Sequence, residues 1–308
     1  MEIQHITALF GVDTAEYEQI ATGHINLTYL VTSGTGERYI LQSLNREVFN
    51  NHEAVMLNIS AAEAVFADEK SVAIPRFMRY NGNNYAECQG EIWRMYPYIP
   101  DVESVEKYYH AGFAHGRFIR ILSRENVELK PAIEVFHNYS AYVEKLKAVG
   151  CKEEKADGLY ELGKRLEEVF ADVPKRSIHG DAKADNIIIG EPCSVIDLDT
   201  MMQGYAAIDY GDMVRSADIS RLDELTKGFA EGLDGLLTEK EVKSLYYGVL
   251  WVTGELAVRY LIDVYSEKPY FKGKTREQCR ERADSLVKQL ADIENMQESF
   301  ENVIKKYF

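Results

Sequence analysis

The segment Ser177–Thr200, SIHGDAKADNIIIGEPCSVIDLDT, constrains the fold of this chain more than any other. Two short apolar runs, Ile187–Ile189 and Val195–Ile196, flank Gly190, Glu191 and Pro192. Apolar runs of this length bounded by turn formers predict two buried strands joined by a tight turn. Asp181, Asn186 and Asp197 then stand at strand ends, where their side chains can converge. The plainer reading is a loop whose Asp and Asn residues only satisfy turn backbone.

An aspartate, an asparagine five residues on and a second aspartate after a strand resemble the catalytic and metal loops of kinases. In that arrangement the first Asp, here Asp181, orients an attacking hydroxyl and takes its proton. The Asn and the later Asp, here Asn186 and Asp197, hold Mg²⁺ against the nucleotide phosphates. His179 is expected to brace the loop through hydrogen bonds rather than to do chemistry. Asp199 fits either a supporting carboxylate or another ligand, and the sequence does not choose.

The rest of the chain fits a frame of that kind. Asn26–Thr32 and Arg38–Leu44 read as strands joined by the SGTGE turn. Residues 51–68 carry apolar side chains at helical spacing, and Ile74–Tyr80 and Tyr85–Tyr98 read as strands around an Asn81-Gly82 turn. The prolines of Tyr96–Asp101 mark a hinge. Helical periodicity then dominates: Val105–Leu122, Glu134–Val149, Leu159–Val173, Asp209–Ala217, Leu222–Leu233, Glu239–Tyr265 and Thr275–Lys306. The expected fold is α+β and bilobal, protein-kinase-like. A small strand-rich N-terminal lobe, 1–98, binds nucleotide, and a larger mainly helical C-terminal lobe, 99–308, carries catalysis and substrate.

Several further positions invite a chemical reading. Thr22–Asn26 lies where a nucleotide-covering loop would sit, making Gly23 and Asn26 candidate nucleotide contacts, although one glycine is a weak phosphate signal. Gly34-Thr35-Gly36 is better explained as a plain turn. Kinases place a phosphate-holding lysine on the third strand, paired with a helix glutamate. Gln42 occupies that place here, Glu53 is the candidate glutamate, and Arg38 or Arg46 is the candidate replacement cation. For Glu53 the plain alternative is a helix-start acid favoured by the dipole. Asp209 and Asp212 read as caps at the start of a helix. Gly158–Lys164 matches most of a Walker A spacing, but Arg165 replaces the metal-binding hydroxyl residue and the segment reads as a helix.

Charge and cysteines narrow the setting. A net charge of −15 over 308 residues argues against nucleic acid or an anionic membrane as partner. The four cysteines form no CxxC or Cys/His cluster, which suits reduced thiols in a cytoplasmic protein. The N-terminus shows no signal-peptide pattern, and the apolar stretch 246–261 is broken by Gly254, Glu255 and Arg259. A soluble, cytoplasmic protein is expected.

Together these residues resemble the aminoglycoside phosphotransferase/choline kinase superfamily, and most closely its N-acetylhexosamine 1-kinase group. The resemblance rests on HGDAKADN (179–186) followed by VIDLDT (195–200). It extends through GHINLTYLV (23–31), YILQSLN (39–45), WRMYPYI (93–99) and ELAVRYLIDVYSEKPYF (255–271). That group shares the glutamine of the YxLQ strand, so Gln42 counts little against activity. The resemblance implies transfer of the γ-phosphoryl of ATP, with Mg²⁺, to the anomeric hydroxyl of an N-acetylhexosamine. It also implies sugar contacts at His24, Arg259 and Tyr270. After Asp263 this chain reads VYSEKPYF where that group favours a YLxGDxYF pattern. Two alternatives stay open: a kinase for an amino alcohol, homoserine or aminoglycoside, and a catalytically silent kinase-like binding module.

Overall fold

A computed structural model describes residues 3–20, 25–271 and 273–308. Gly23 and His24 lie outside the described residues. The chain forms a mixed α+β structure of two compact units. The first comprises Met1–Val105, Ile121–Glu134 and Asn186–Met202, and the second Glu106–Arg120, Val135–Asp185 and Gln203–Phe308. Where the sequence suggested one boundary at 98/99, the chain returns twice to the strand-rich unit.

In that unit α1 (Ile3–Leu9) precedes strands β1 (Thr14–Ile20), β2 (Leu27–Ser33) and β3 (Arg38–Ser43). Helix α2 (His52–Val65) and strands β4 (Ala86–Cys88) and β5 (Glu91–Pro97) follow. The five strands form an antiparallel sheet in the order β1-β2-β3-β5-β4. Val31, Leu41, Trp93 and Met95 on one face pack against Ile3, Ile6, Phe10 and Val12. Because side chains alternate along a strand, Thr28, Gln42 and Arg94 share the opposite face, in direct register. Asn51 starts α2 by accepting the Ala54 N–H at 3.2 Å. The runs Ile187–Ile189 and Val195–Ile196 form the hairpin expected of them, β7 (Ile187–Ile188) with β8 (Ser194–Val195).

The structure corrects three expectations here. Residues 74–80 do not form a ladder, because Pro75 has no N–H and the Phe77 N–H goes to Glu63 at 2.7 Å. Residues 85–98 are two strands rather than one, reversed at Gln89 and Gly90, both at positive φ. The polar edge strand β1, TAEYEQI, was not anticipated: its burial pattern is almost wholly exposed, so it carries no apolar alternation.

The second unit contains α3 (Lys107–Arg124, entering the first unit at its end), α4 (Tyr139–Ala148), α5 (Lys155–Phe170) and β6 (Arg176–Ile178). After β9 (Met202–Gly204) come α6 (Ala206–Ser216), α7 (Leu222–Leu233), α8 (Glu239–Tyr265), α9 (Arg276–Asn295) and α10 (Gln297–Tyr307). The expected helix 275–306 is therefore two, parted at Met296. Gly158–Lys164 lies inside α5 and forms no phosphate loop. Thr238 and Glu241 build a capping box at the start of α8, and Glu241 also takes Arg176 of β6 at 2.8 Å.

Helices α3 and α7 meet through matching segments, GFAHG and GFAEG. A Cβ on Gly112 would stand 2.3 Å from the Leu225 carbonyl oxygen, and one on Gly232 2.3 Å from that of Phe113. Gly116 and Gly228 are as tightly placed, at 2.5 and 2.1 Å from the Phe229 and Tyr109 oxygens. Backbone is the obstacle in every case, so no rotamer change relieves it. Gly232→Ala is therefore expected to destabilise the fold by about 2 to 3 kcal/mol in a urea titration. Gly158→Ala, on the open side of α5, is expected to be neutral or stabilising.

Candidate active site

In the helical unit the turn His179–Lys183 is held from below by Asp209 of α6. Its two carboxylate oxygens accept the backbone N–H groups of His179 and Gly180, each at 2.8 Å. Asp209 is thus a structural acid but not a cap of its own helix, whose N-cap is Tyr205. Burial pushes the Asp209 carboxyl up to about 6, against the pull of His179 and the two N–H donors. The Gly180 carbonyl accepts from His137 Nε2 at 2.7 Å. Gly180 itself sits at φ +81°, which favours glycine.

His179 plays the bracing part expected of it. Its Nδ1 accepts the Asp181 N–H at 3.3 Å, and its ring packs edge-on to His115, with centroids 5.2 Å apart. Burial, then His179, depress the His115 pKa to about 3, so that ring stays neutral. The Asp181 carboxylate pairs with Lys183 Nζ at 2.5 Å. Burial opposes its ionisation, but Lys183, His179 and Arg215 prevail and hold the carboxyl below its usual value. Asp181 is therefore an anion at neutral pH. Lys183 was not singled out in the sequence, although its place two residues after Asp181 was visible.

Arg259 and Tyr270 come together in the same unit. The Arg259 guanidinium lies 4.7 Å over the Tyr270 ring and 5.5 to 5.6 Å from Phe136, Tyr142 and Phe271. Asp263 fixes the Tyr270 turn to α8, accepting the N–H of Tyr270 at 2.9 Å and of Phe271 at 2.7 Å. Phe271 stacks on Tyr260 at 3.9 Å, while Tyr270 stays 42% exposed.

In the strand-rich unit the β7–β8 hairpin brings Asn186 and Asp197 near one another. The Ile196 N–H donates to the Asn186 carbonyl at 2.9 Å, one residue before Asp197. Asp197 is exposed and left-handed, at φ +60°, and opens a 3-10 turn, Leu198–Thr200. One carboxylate and one carboxamide are hard oxygen donors of the kind Mg²⁺ takes alongside phosphate and water, so these residues fit the ion. Among the described residues no group of three or more His, Cys, Asp or Glu side chains forms a metal cluster.

Asp199 is engaged as a supporting carboxylate, the first of the two readings offered by the sequence. It is buried and binds both terminal nitrogens of Arg94 on β5, Nη2 to Oδ2 at 2.9 Å. Burial disfavours the Arg94 charge, but Asp199, with Asp197 and Tyr96 behind it, outweighs burial and raises its pKa. Arg94 Nε donates to Gln42 Oε1 at 3.0 Å, and Gln42 Nε2 donates to Thr28 at 3.2 Å. Asn26 Nδ2 donates to Asp199 at 2.7 Å, and its Oδ1 accepts the Asn45 N–H at 2.9 Å. Gln42 and Asn26, expected as nucleotide contacts, thus spend both ends of their amides on this network. The cation opposite Gln42 is Arg94, which sequence reasoning missed. Arg38 lies over Tyr98, and Arg46 binds the Gly90 carbonyl. One signal was available: Arg94 is a lone charge in the apolar run IWRMY. Glu53 is exposed in the first turn of α2.

The sequence matches the Phosphotransferase enzyme family (APH) over residues 16–242, so the chain belongs to that family. By that match it is a phosphotransferase. Solved structures share its fold at low identity. A microcompartment-associated aminopropanol kinase superposes with a TM-score of 0.69 at 15% identity, over 97% of this chain and 98% of that one. A spectinomycin phosphotransferase in complex with ADP and spectinomycin gives 0.66 at 15%, over 96% and 98%. An amicoumacin kinase in complex with AMP-PNP and Ca²⁺ gives 0.67 at 12%, over 94% and 93%. No helix among the described residues is long and apolar enough to cross a membrane.

Removing one partner of a buried ion pair leaves the other charge unpaired. Arg94→Met is accordingly expected to cost about 3 to 5 kcal/mol in urea unfolding. The double variant Arg94→Met/Asp199→Leu should recover much of that loss.

Proposed function

We propose that this phosphotransferase moves the γ-phosphoryl group of ATP to the anomeric hydroxyl of an N-acetylhexosamine, with Mg²⁺. The observation that carries the acceptor class is Arg259 among Phe136, Tyr142, Tyr270 and Phe271. A guanidinium walled by aromatic rings suits a neutral ring with hydroxyl and acetamido oxygens, because it donates hydrogen bonds and offers flat apolar faces. The rings alone would attract an ammonium group, but the Arg259 charge already occupies their faces and repels a second cation.

In this reading Asp181 accepts the proton of the attacking hydroxyl. That oxygen forms the new bond to the γ-phosphorus, the bond to the β–γ bridging oxygen breaks, and ADP leaves. A base held ionised by Lys183 suits a transfer in which little bond formation precedes the transition state and positioning does most of the work. Asn186 and Asp197 would hold Mg²⁺, which supplies charge neutralisation to the phosphates when bound. Arg94 and Asp199, with Gln42 and Asn26, hold the Asp197 turn to the sheet rather than touching nucleotide.

Amine acceptors are the second reading, favoured by the net charge of −15 and by the aminopropanol kinase likeness. ADP release with N-acetylglucosamine, N-acetylgalactosamine, galactose, choline, homoserine and kanamycin separates the two. The acetamido sugars alone are expected to support turnover, and turnover confined to amines would overturn the sugar reading. Asp181→Asn should lose about 100-fold or more in kcat while keeping ATP affinity. Loss of ATP affinity and folding together would make Asp181 structural.

A further inference from the structure

The histidine just before α4 has no role in the chemistry above, yet it is one of the most constrained residues in the helical unit. His137 is a non-glycine residue at φ +50°, and its side chain is 6% exposed. A backbone of that kind is uncommon and persists only where the surroundings hold it. Asn138, the next residue, accepts the Ala141 N–H at 3.1 Å and so begins α4 at that point. The His137 ring is thereby aimed inward at a fixed place. Nε2 donates to the Gly180 carbonyl at 2.7 Å, one residue from Asp181. Nδ1 lies 3.4 Å from Glu255 Oε2, an ion pair rather than a well-angled hydrogen bond.

Glu255 is buried on α8 and accepts a hydrogen bond from Trp251 Nε1 at 3.1 Å. One turn further along α8 stands Arg259, whose charge also acts on Glu255. A buried carboxylate of this kind needs a positive partner, and His137 supplies it. The Asp181 turn is gripped on two sides: Asp209 takes its N–H groups and His137 takes its carbonyl.

We infer that His137, as an imidazolium paired with Glu255, is a positioning residue that fixes the Gly180 peptide and thereby the Asp181 carboxylate for transfer. The inference deepens the proposed function and rests on Asp181 being the base. Because Glu255 also feels Arg259 on the same helix, the pair links the aromatic rings around Arg259 to the turn.

The electrostatics agree with the geometry. Burial works against a charged ring, but Glu255 and, beyond it, Asp212 hold the His137 pKa up at about 9. The charged groups acting on it are Glu255 on α8 and Asp212 on α6; behind them Arg259 acts on Glu255 and Arg215 pairs with Asp212, while Asp209 holds the Gly180 N–H and Asp181 follows Gly180. The folded value lies above the ordinary histidine value of about 6.5. The stabilisation is therefore fully present below about 6.5 and is lost as pH rises through about 9.

The test uses the full-length chain and two readouts. In steady-state transfer with the accepted acceptor, His137→Ala is expected to lower kcat by up to about 100-fold with the KM for ATP little changed. His137→Gln, which retains an N–H donor, should recover part of the rate. Wild-type kcat should fall as pH rises through about 9, and Glu255→Gln should move that fall to lower pH. Hydrogen exchange of the peptide 178–186 needs no acceptor and no activity. His137→Ala should speed exchange there while leaving α9 and α10 unchanged. Unaltered exchange in 178–186, or an alkaline fall indifferent to Glu255→Gln, overturns the inference. Transfer to amines alone overturns the sugar reading instead, and both readouts then run on the amine.

Discussion

The helical unit depends first on a buried carboxylate. Asp209 is wholly enclosed, and burying a carboxylate costs several kcal/mol unless donors replace its water. The backbone N–H groups of His179 and Gly180 are those donors. Asp209 reaches them because α6 lies against α8 at glycine distance. A Cβ on Gly211 would be 2.4 Å from the Gly248 carbonyl oxygen, and one on Gly248 1.9 Å from that of Ala207. Two hydrogen atoms in place of methyl groups thus set where α6 lies and where Asp209 points. The left-handed Gly180 turn and the Asp181–Lys183 pair follow from that.

The strand-rich unit repeats the logic with a cation. Register places Thr28, Gln42 and Arg94 side by side on one face of the sheet. Arg94 then reaches Asp199 in the turn that begins at Asp197. A full charge inside an apolar strand is tolerable only with a partner in good geometry. The bidentate pairing with Asp199 is such a partner, and Asn26 satisfies it further. The exposed, left-handed Asp197 is carried by a turn with a rigid anchor two residues on. In each unit a buried charged group holds a short turn: Asp209 grips the backbone N–H groups next to Asp181, and the Arg94–Asp199 pair anchors the turn that begins at Asp197.

The long apolar-periodic helices were legible in the sequence: α7 and α8 begin and end where the period puts them. The β7–β8 hairpin was legible because its two runs are short, apolar and bounded by turn residues. Strand β1 was not, since a polar edge strand shows no alternation. The extended segment 74–80 misled because its backbone is satisfied by side chains such as Glu63, which no period reveals. The motif residues were readable individually. What holds them was not, because Asp209, His137, Arg94 and Asp199 act across 29 to 105 positions of sequence. The glycine contacts of α3 with α7 were equally hidden, although the paired GFAxG segments stand in the sequence.

The proposed acceptor end, around Arg259, is cationic and aromatic. The most direct measurement is ³¹P and ¹H NMR of the product formed from N-acetylgalactosamine or N-acetylglucosamine with ATP and Mg²⁺. The account predicts a phosphomonoester whose phosphorus couples to the anomeric proton. A phosphate coupled to any other sugar proton, or no phosphorylated sugar while an amino alcohol is phosphorylated, would contradict it.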